Sequence, residues 1–184
     1  MEAAPVLSVD AKRREEIERH VKALQSSEGG GMQTAQGALR RGALLMLASQ
    51  DAANCTLIAQ RLLGLLSGGS ADDQEEAAAD AMSELAYSAD AMAAAIAAAG
   101  GIEPLVALAT NGAAGGQEAA ARALKTLVHN NDANRAAIVP ALLALVANGT
   151  AHRQKRAAWV LATLGCDGAV PPLVALVTNG AAGS

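Results

Sequence analysis

The chain of 184 residues carries a formal net charge of -4, and 52% of it is apolar although it has no Phe, one Trp and one Tyr. A core drawn from Leu, Val, Ile, Met and Ala, with Ala the strongest helix former, reads as all-α and not as sheet. The modest negative charge excludes a general basic field for nucleic acid, and Cys55 and Cys166, far apart and outside any CxxC pattern, argue against a disulfide framework or a structural zinc.

From the N-terminus, residues 1–9 read as a flexible lead. Glu2 stands where a secretory signal wants positive charge, and no apolar stretch follows it. Asp10 to Gln25 then reads as a helix. Ile17, Val21 and Leu24 form its apolar stripe, and the pairs Glu15/Arg19 and Glu18/Lys22 stand at i, i+4 on the charged side. A charged outer face is what the end of a stacked array requires.

Beyond this helix the sequence repeats itself. QEEAAADAMSELAYSADAMAAAI (Gln74 to Ile96) aligns without a gap on GQEAAARALKTLVHNNDANRAAI (Gly116 to Ile138) at an offset of 42. GALLMLASQDAANCTLI (Gly42 to Ile58) meets the same stretch at an offset of 80, placing Asn54 on Asn134, and QKRAAWVLATLG follows at an offset of 37. A second series interleaves with the first: PLVALATNGAAG from Pro104, ALLALVANGTAH from Ala141 and PLVALVTNGAAG from Pro172, with a weaker LLGLLSGGS from Leu62.

Both series read as helical. Ala120, Ala123, Leu124, Leu127 and Val128 fall on one stripe, which recurs as Ala78, Ala81, Met82, Leu85 and Ala86 and again as Ala157, Val160, Leu161 and Leu164. Pro104 suits a first helical turn and Asn111-Gly112 a helix end, so Gly100-Gly101 and Gly115-Gly116 read as bends between helices. As phosphate loops these glycines fail, since no Lys-Ser/Thr follows and no strand precedes. Ala91 to Ala99 is apolar but far short of the ~20 residues a membrane span needs. The expectation is a soluble intracellular protein, cytoplasmic or nuclear, with no membrane insertion.

The run AAAGGIEPLVALATNGAAGGQEAAARALKTLVHNNDANRAAI (Ala97 to Ile138) resembles one armadillo repeat: short first helix, glycine bend, second helix, turn, long third helix. Its period falls within the ~40–47 residues of that class. The resemblance covers roughly Glu15 to Ser184 and implies a right-handed α-solenoid over 10–184, with repeats near 15–58, 59–99, 100–138 and 139–167 and a partial fifth at 168–184. Pro172 to Thr178 would be a second helix whose Leu173, Val174, Leu176 and Val177 lack a third helix to cover them. That leaves two readings open, self-association through this end or continuation into a longer array.

Armadillo solenoids are similar in lining a shallow groove with their third helices and holding extended peptides there. Importin-alpha-like members carry a Trp and, four residues later, an Asn along that groove. The matching positions are Gly42 and Met46, Asp80 and Glu84, Arg122 and Thr126, Trp159 and Thr163, so only Trp159 keeps the Trp and no copy keeps the Asn. One rung extends as Glu76, Asp80, Glu84 and Tyr87, the next as Glu118, Arg122, Thr126 and His129, and the last as Lys155, Trp159 and Thr163 with Arg153 and Arg156 nearby. Trp159 falls off the buried stripe of its helix, which places it on the groove side.

His20, His129 and His152 lie in different units with no G-x-S-x-G motif near any of them. Asp80 and Glu84 share a face, but acid–base chemistry also needs a desolvated pocket. The sequence therefore points to a non-enzymatic protein-interaction scaffold needing no cofactor and no metal, with extended segments of other proteins as partners. Two further readings are an importin-alpha-like nuclear-import adaptor and the substrate-binding arm of a larger enzyme such as a ubiquitin ligase. The groove model has a partner laying basic residues on the second repeat and acidic or aromatic ones on the fourth.

Overall fold

The computed structural model describes residues 9–25, 35–67, 72–129 and 131–165. Among these residues the chain is all-helical, with no strand. The helices are α1 (Val9–Gln25), α2 (Ala35–Gln50), α3 (Ala52–Ser67), α4 (Asp72–Ser88), α5 (Asp90–Ala98), α6 (Ile102–Asn111), α7 (Ala114–Val128), α8 (Asp132–Asn148) and α9 (Ala151–Thr163). The expected features of residues 1–8, Cys166, the Pro172–Thr178 helix and the partial fifth repeat lie outside the described residues.

Neighbouring helices pack in two rows. One row is α2, α4, α7 and α9; the other is α1, α3, the α5–α6 pair and α8, and each helix rests on its sequence neighbours across the rows. The α4–α7 contact is the most extensive among the described helices. Both helices bury alanines, Ala78, Ala79, Ala81 and Ala86 on α4 and Ala119, Ala120, Ala121 and Ala123 on α7, and small side chains let helix axes come close. By contrast α9 touches α7 only slightly and rests on α8 and α6. A single apolar cluster runs from Ile17 on α1 to Leu164 beyond α9. Every residue of the three repeated stripes is buried, and so are Ile17 and Val21.

Among the described residues the three-helix unit is found once. Gly100, with φ of 81°, and Gly101 separate α5 from α6, whose axes differ by 86°. Gly101 is also a matter of space, because a Cβ there would stand 2.7 Å from Ile96 Cγ2 and 2.8 Å from the Ile96 carbonyl oxygen. Gly115-Gly116, expected as a bend, instead lie in the first turn of α7, and in the units on either side the first two helices are fused into α3 and α8. The cause is length. Between Ile96 and Pro104 the chain has room for the bend, whereas between Ile138 and Ala141 five residues are missing and between Ile58 and Leu62 four. With no slack to reverse direction, the helix continues. In α8 it passes through Pro140, which removes the donor to the carbonyl of Ala136; both residues are exposed, so that carbonyl stays open to solvent.

Gly112 ends α6 with φ of -67°, not in the left-handed region. Here glycine is required because a Cβ would collide with Leu108 Cδ1 and stand 2.7 Å from its carbonyl oxygen.

Two buried asparagines link the rows. Asn54 Nδ2 donates to the Leu47 carbonyl at 2.8 Å, and Asn134 Nδ2 donates to the Leu127 carbonyl at 2.9 Å. Each Asn opens one helix and satisfies a carbonyl in the last turn of the helix before it, where intrahelical donors run out. The equivalent residue in the middle unit is Met92, fully buried; there the matching carbonyl, of Leu85, accepts the N–H of Ala89 at 3.1 Å instead.

No single described helix is long and apolar enough to cross a membrane. The α5–α6 pair passes by length and composition together, but its Met92, Ile96, Leu105 and Leu108 are buried in the core.

Candidate protein-binding face

The nine residues expected along a groove all lie on the α2–α4–α7–α9 row, and none belongs to the core. Glu84, Tyr87, Arg122, His129, Lys155 and Trp159 are exposed, while Asp80, Thr126 and Thr163 are partly covered. Tyr87 is 82% exposed and Trp159 42%, large values for rings in a chain with so few aromatics. On α2 the same side shows Leu39 and Met46, both strongly exposed. The row thus presents an apolar α2 end, a charged centre and a cationic α9 end.

Partners within the face differ from a string of free charges. Arg122 Nη2 on α7 pairs with Asp80 Oδ1 on α4, and Arg41 Nε on α2 pairs with Glu84. The Asp80 hydrogen bond pushes the Arg122 guanidinium further above its already high ordinary pKa, against desolvation and with help from the charges of Asp80, Glu118 and Glu76. Ser83 Oγ and Thr126 Oγ1 meet at 3.3 Å, and Thr126 Oγ1 also donates to the Arg122 carbonyl at 3.1 Å. The middle of the face is therefore cross-linked between α2, α4 and α7. Asp80 and Glu84 of the expected acidic rung thus already have cations, while Glu76 has no described ion pair.

Helix α9 has a different balance. His152, Arg153, Lys155 and Arg156 all lie on it, and it contains no acid. Thr150 caps it by accepting the N–H of Arg153 at 3.5 Å. Arg153 is taken up by Asn111, donating from Nε to Oδ1 at 2.6 Å. Arg156 is not matched in this way. Its Cζ sits over the Trp159 ring, 4.6 Å from the centroid, and its Nε and Nη2 are buried without a hydrogen-bond partner. The i, i+3 spacing of Arg156 and Trp159 on one helix already makes them neighbours. Thr163 Oγ1 donates back to the Trp159 carbonyl at 2.9 Å, which commits its proton within the helix.

The overall likeness to known structures is modest. No protein-family model matches the chain, and no curated protein does. Three crystal structures of engineered proteins resemble it in fold. The first is 28% identical over 88% of this chain and 68% of its own, with a TM-score of 0.54. The second is 24% identical over 87% and 69%, with a TM-score of 0.51. The third is 28% identical over 87% of this chain but 40% of its own, with a TM-score of 0.52. Their descriptions name no ligand or activity.

Two clefts open to solvent lie elsewhere. A cavity of about 570 Å³ is bordered by Arg13, Arg14, Asp51 and Gln60, and one of about 340 Å³ by Glu18, Val21, Arg61 and Gly64. Both sit between α1 and α3, and no residue of the α4–α7–α9 face lines either. Glu18, expected to pair with Lys22 along its own helix, instead accepts from Arg61 Nη2 on α3 at 2.5 Å. Among the described residues no three His, Cys, Asp or Glu side chains gather as metal ligands. Cys55 is buried, donates weakly to the Ala48 carbonyl at 3.2 Å, and has its thiol pKa raised by burial. It packs as a small apolar group.

Proposed function

We propose that this chain is an armadillo-type, right-handed helical solenoid acting as a protein-interaction scaffold, and that it binds an extended segment of a partner across α4, α7 and α9. One observation carries the reading. Equivalent positions of successive repeats share one exposed row above a uniform Ala/Leu core, yet their chemistry changes from repeat to repeat. Core positions repeat because packing repeats; surface positions that diverge on one side fit a face that reads a non-repeating ligand. The 42-residue offset supports the armadillo assignment, as does the three-helix unit formed by α5, α6 and α7. The missing Asn positions and the single Trp159 count against importin-alpha-like cargo binding.

Selection from a displayed peptide library tests this. Peptides that bind the intact chain should lose binding to a variant carrying Tyr87→Ser, Arg122→Ala and Trp159→Ala whose helical circular dichroism is unchanged. Selected peptides that bind this variant as tightly as the parent would refute the face.

A further inference from the structure

We infer that the exposed face of α2 is an apolar socket that takes one bulky aliphatic side chain of a bound partner, from a segment that carries Lys or Arg beside that residue. The inference rests on the peptide-binding reading above and extends it by one helix.

The socket follows from helix geometry. Leu39, Gly42, Ala43 and Met46 stand at i, i+3, i+4 and i+7, the four positions that frame a hole for a facing side chain. Leu39 is 74% exposed and Met46 69%, while Gly42 and Ala43 between them are partly open. A Cβ on Gly42 would meet no atom within 4 Å, so the two long side chains stand clear of the floor between them. In the repeat register Gly42 and Met46 occupy the places of Asp80 and Glu84, Arg122 and Thr126, and Trp159 and Thr163. The opening therefore belongs to the same row. Leu39, Met46, Tyr87 and Trp159 are the large apolar or aromatic side chains that stand exposed among the described residues, and all four lie on that row.

Charge complementarity sets the rest of the occupant. Helix α2 has two arginines and no acid, and both arginines are held, Arg40 by the Ala23 carbonyl and Arg41 by Glu84. The neighbouring α4 carries six acids and no base, and its Asp72, Glu75 and Glu76 have no described ion pair. A cation beside the seated side chain meets these carboxylates without displacing an ion pair. A carboxylate in its place would find no uncommitted cation on either helix. A second copy of the chain fits less well, since it brings the same held arginines and a net charge of -4.

The full chain is titrated, by fluorescence anisotropy at low and high salt, with a labelled Lys/Gly/Ser peptide holding one central Leu. Two controls carry Ser in place of the Leu, or Glu in place of every Lys. The Leu/Lys peptide should bind saturably and more weakly at high salt. The Ser control should bind roughly 10- to 100-fold more weakly, the scale of burying one leucine side chain, and the Glu control should bind more weakly still. Gly42→Leu fills the socket where nothing stands in the way. It should reduce the Leu/Lys peptide to the affinity of the Ser control, without lowering the melting temperature. Glu75→Gln combined with Glu76→Gln should flatten the salt dependence. The inference is overturned if the Leu and Ser peptides bind alike, if Gly42→Leu binds the Leu/Lys peptide as the parent does, or if the Glu control matches the Lys peptide. It is equally overturned if the chain alone sediments as a dimer that Gly42→Leu dissociates, which makes a second copy the occupant. A drop of several degrees in the melting temperature of Met46→Ser would also sink it, because the chain's own residues would then cover the socket. Displayed-library peptides that lose binding to the Tyr87, Arg122 and Trp159 triple variant, yet bind Gly42→Leu as the parent does, would remove the socket and leave the face standing; indifference to both variants would remove the face as well.

Discussion

Replacing Asn134 by Ala isolates what the buried asparagines contribute. Asn134 is 6% exposed, and its amide is the donor to the Leu127 carbonyl at 2.9 Å, at a point where α7 ends and α8 has just begun. Removing the amide strands that carbonyl in a site closed to water, a loss of about 1–3 kcal/mol. In a domain of this size ~1 kcal/mol moves the melting temperature by roughly 2–4 °C, so Asn134→Ala should melt several degrees below the parent by circular dichroism. Asn54→Ala, which strands the Leu47 carbonyl, should behave alike. Met92→Asn supplies the converse. Because the Leu85 carbonyl already accepts from Ala89, a new amide at position 92 has no acceptor waiting and replaces a fully buried thioether, so stability should fall and not rise. An unchanged melting temperature for Asn134→Ala, or a gain from Met92→Asn, would refute the account of the asparagines as carbonyl partners.

Two glycine substitutions should act in opposite directions. Gly64→Ala, inside α3 with nothing within 4 Å of the new Cβ, should stabilise by about 0.5–1 kcal/mol, whereas Gly112→Ala, driven against Leu108, should destabilise by about 1–3 kcal/mol; chemical denaturation measures both. Arg122→Ala should change stability by less than about 1 kcal/mol despite its ion pair, since the Arg122 side chain is 55% exposed and solvent screens it. In a Cys166→Ser background, Cys55 should resist a thiol reagent until the chain is unfolded. The folded thiol holds its proton above its ordinary value of 9.0, so the unfolded chain ionises first. This contribution to stability is therefore whole below pH 9.0 and lost as pH rises past it, which melting curves across that range would show.

The helices and their buried stripes were legible in the sequence because a 3.6-residue period and a repeated Ala/Leu pattern record the core directly. The number of bends was recorded too, in the drop of the repeat offset from 42 to 37, but a general repeat template hid it. Only the local shortage of residues ahead of Leu62 and Ala141 turns two units into fused helices. Pairing was the least legible. Glu18 had Lys22 one turn away and chose Arg61, and Asp80 found Arg122 on the next repeat, because partners are set by which helices lie side by side. Asn54 and Asn134 stood aligned, yet their purpose depends on where the preceding helix stops. Arg156 in a helical pattern reads as a solvated charge beside Trp159 at i, i+3; the burial of its Nε and Nη2 exists only once α9 is packed.

The steps along the row are unequal: α4 and α7 are in intimate contact, while α2 meets α4 and α9 meets α7 more sparingly. An extended strand advances about 3.3 Å per residue, so a segment bound as proposed would have to match helices that do not pack alike. Sliding it by one helix would misplace every contact at once. On the proposed peptide-binding reading, a partner that repeats its motif at a single fixed spacing would gain nothing from the repetition.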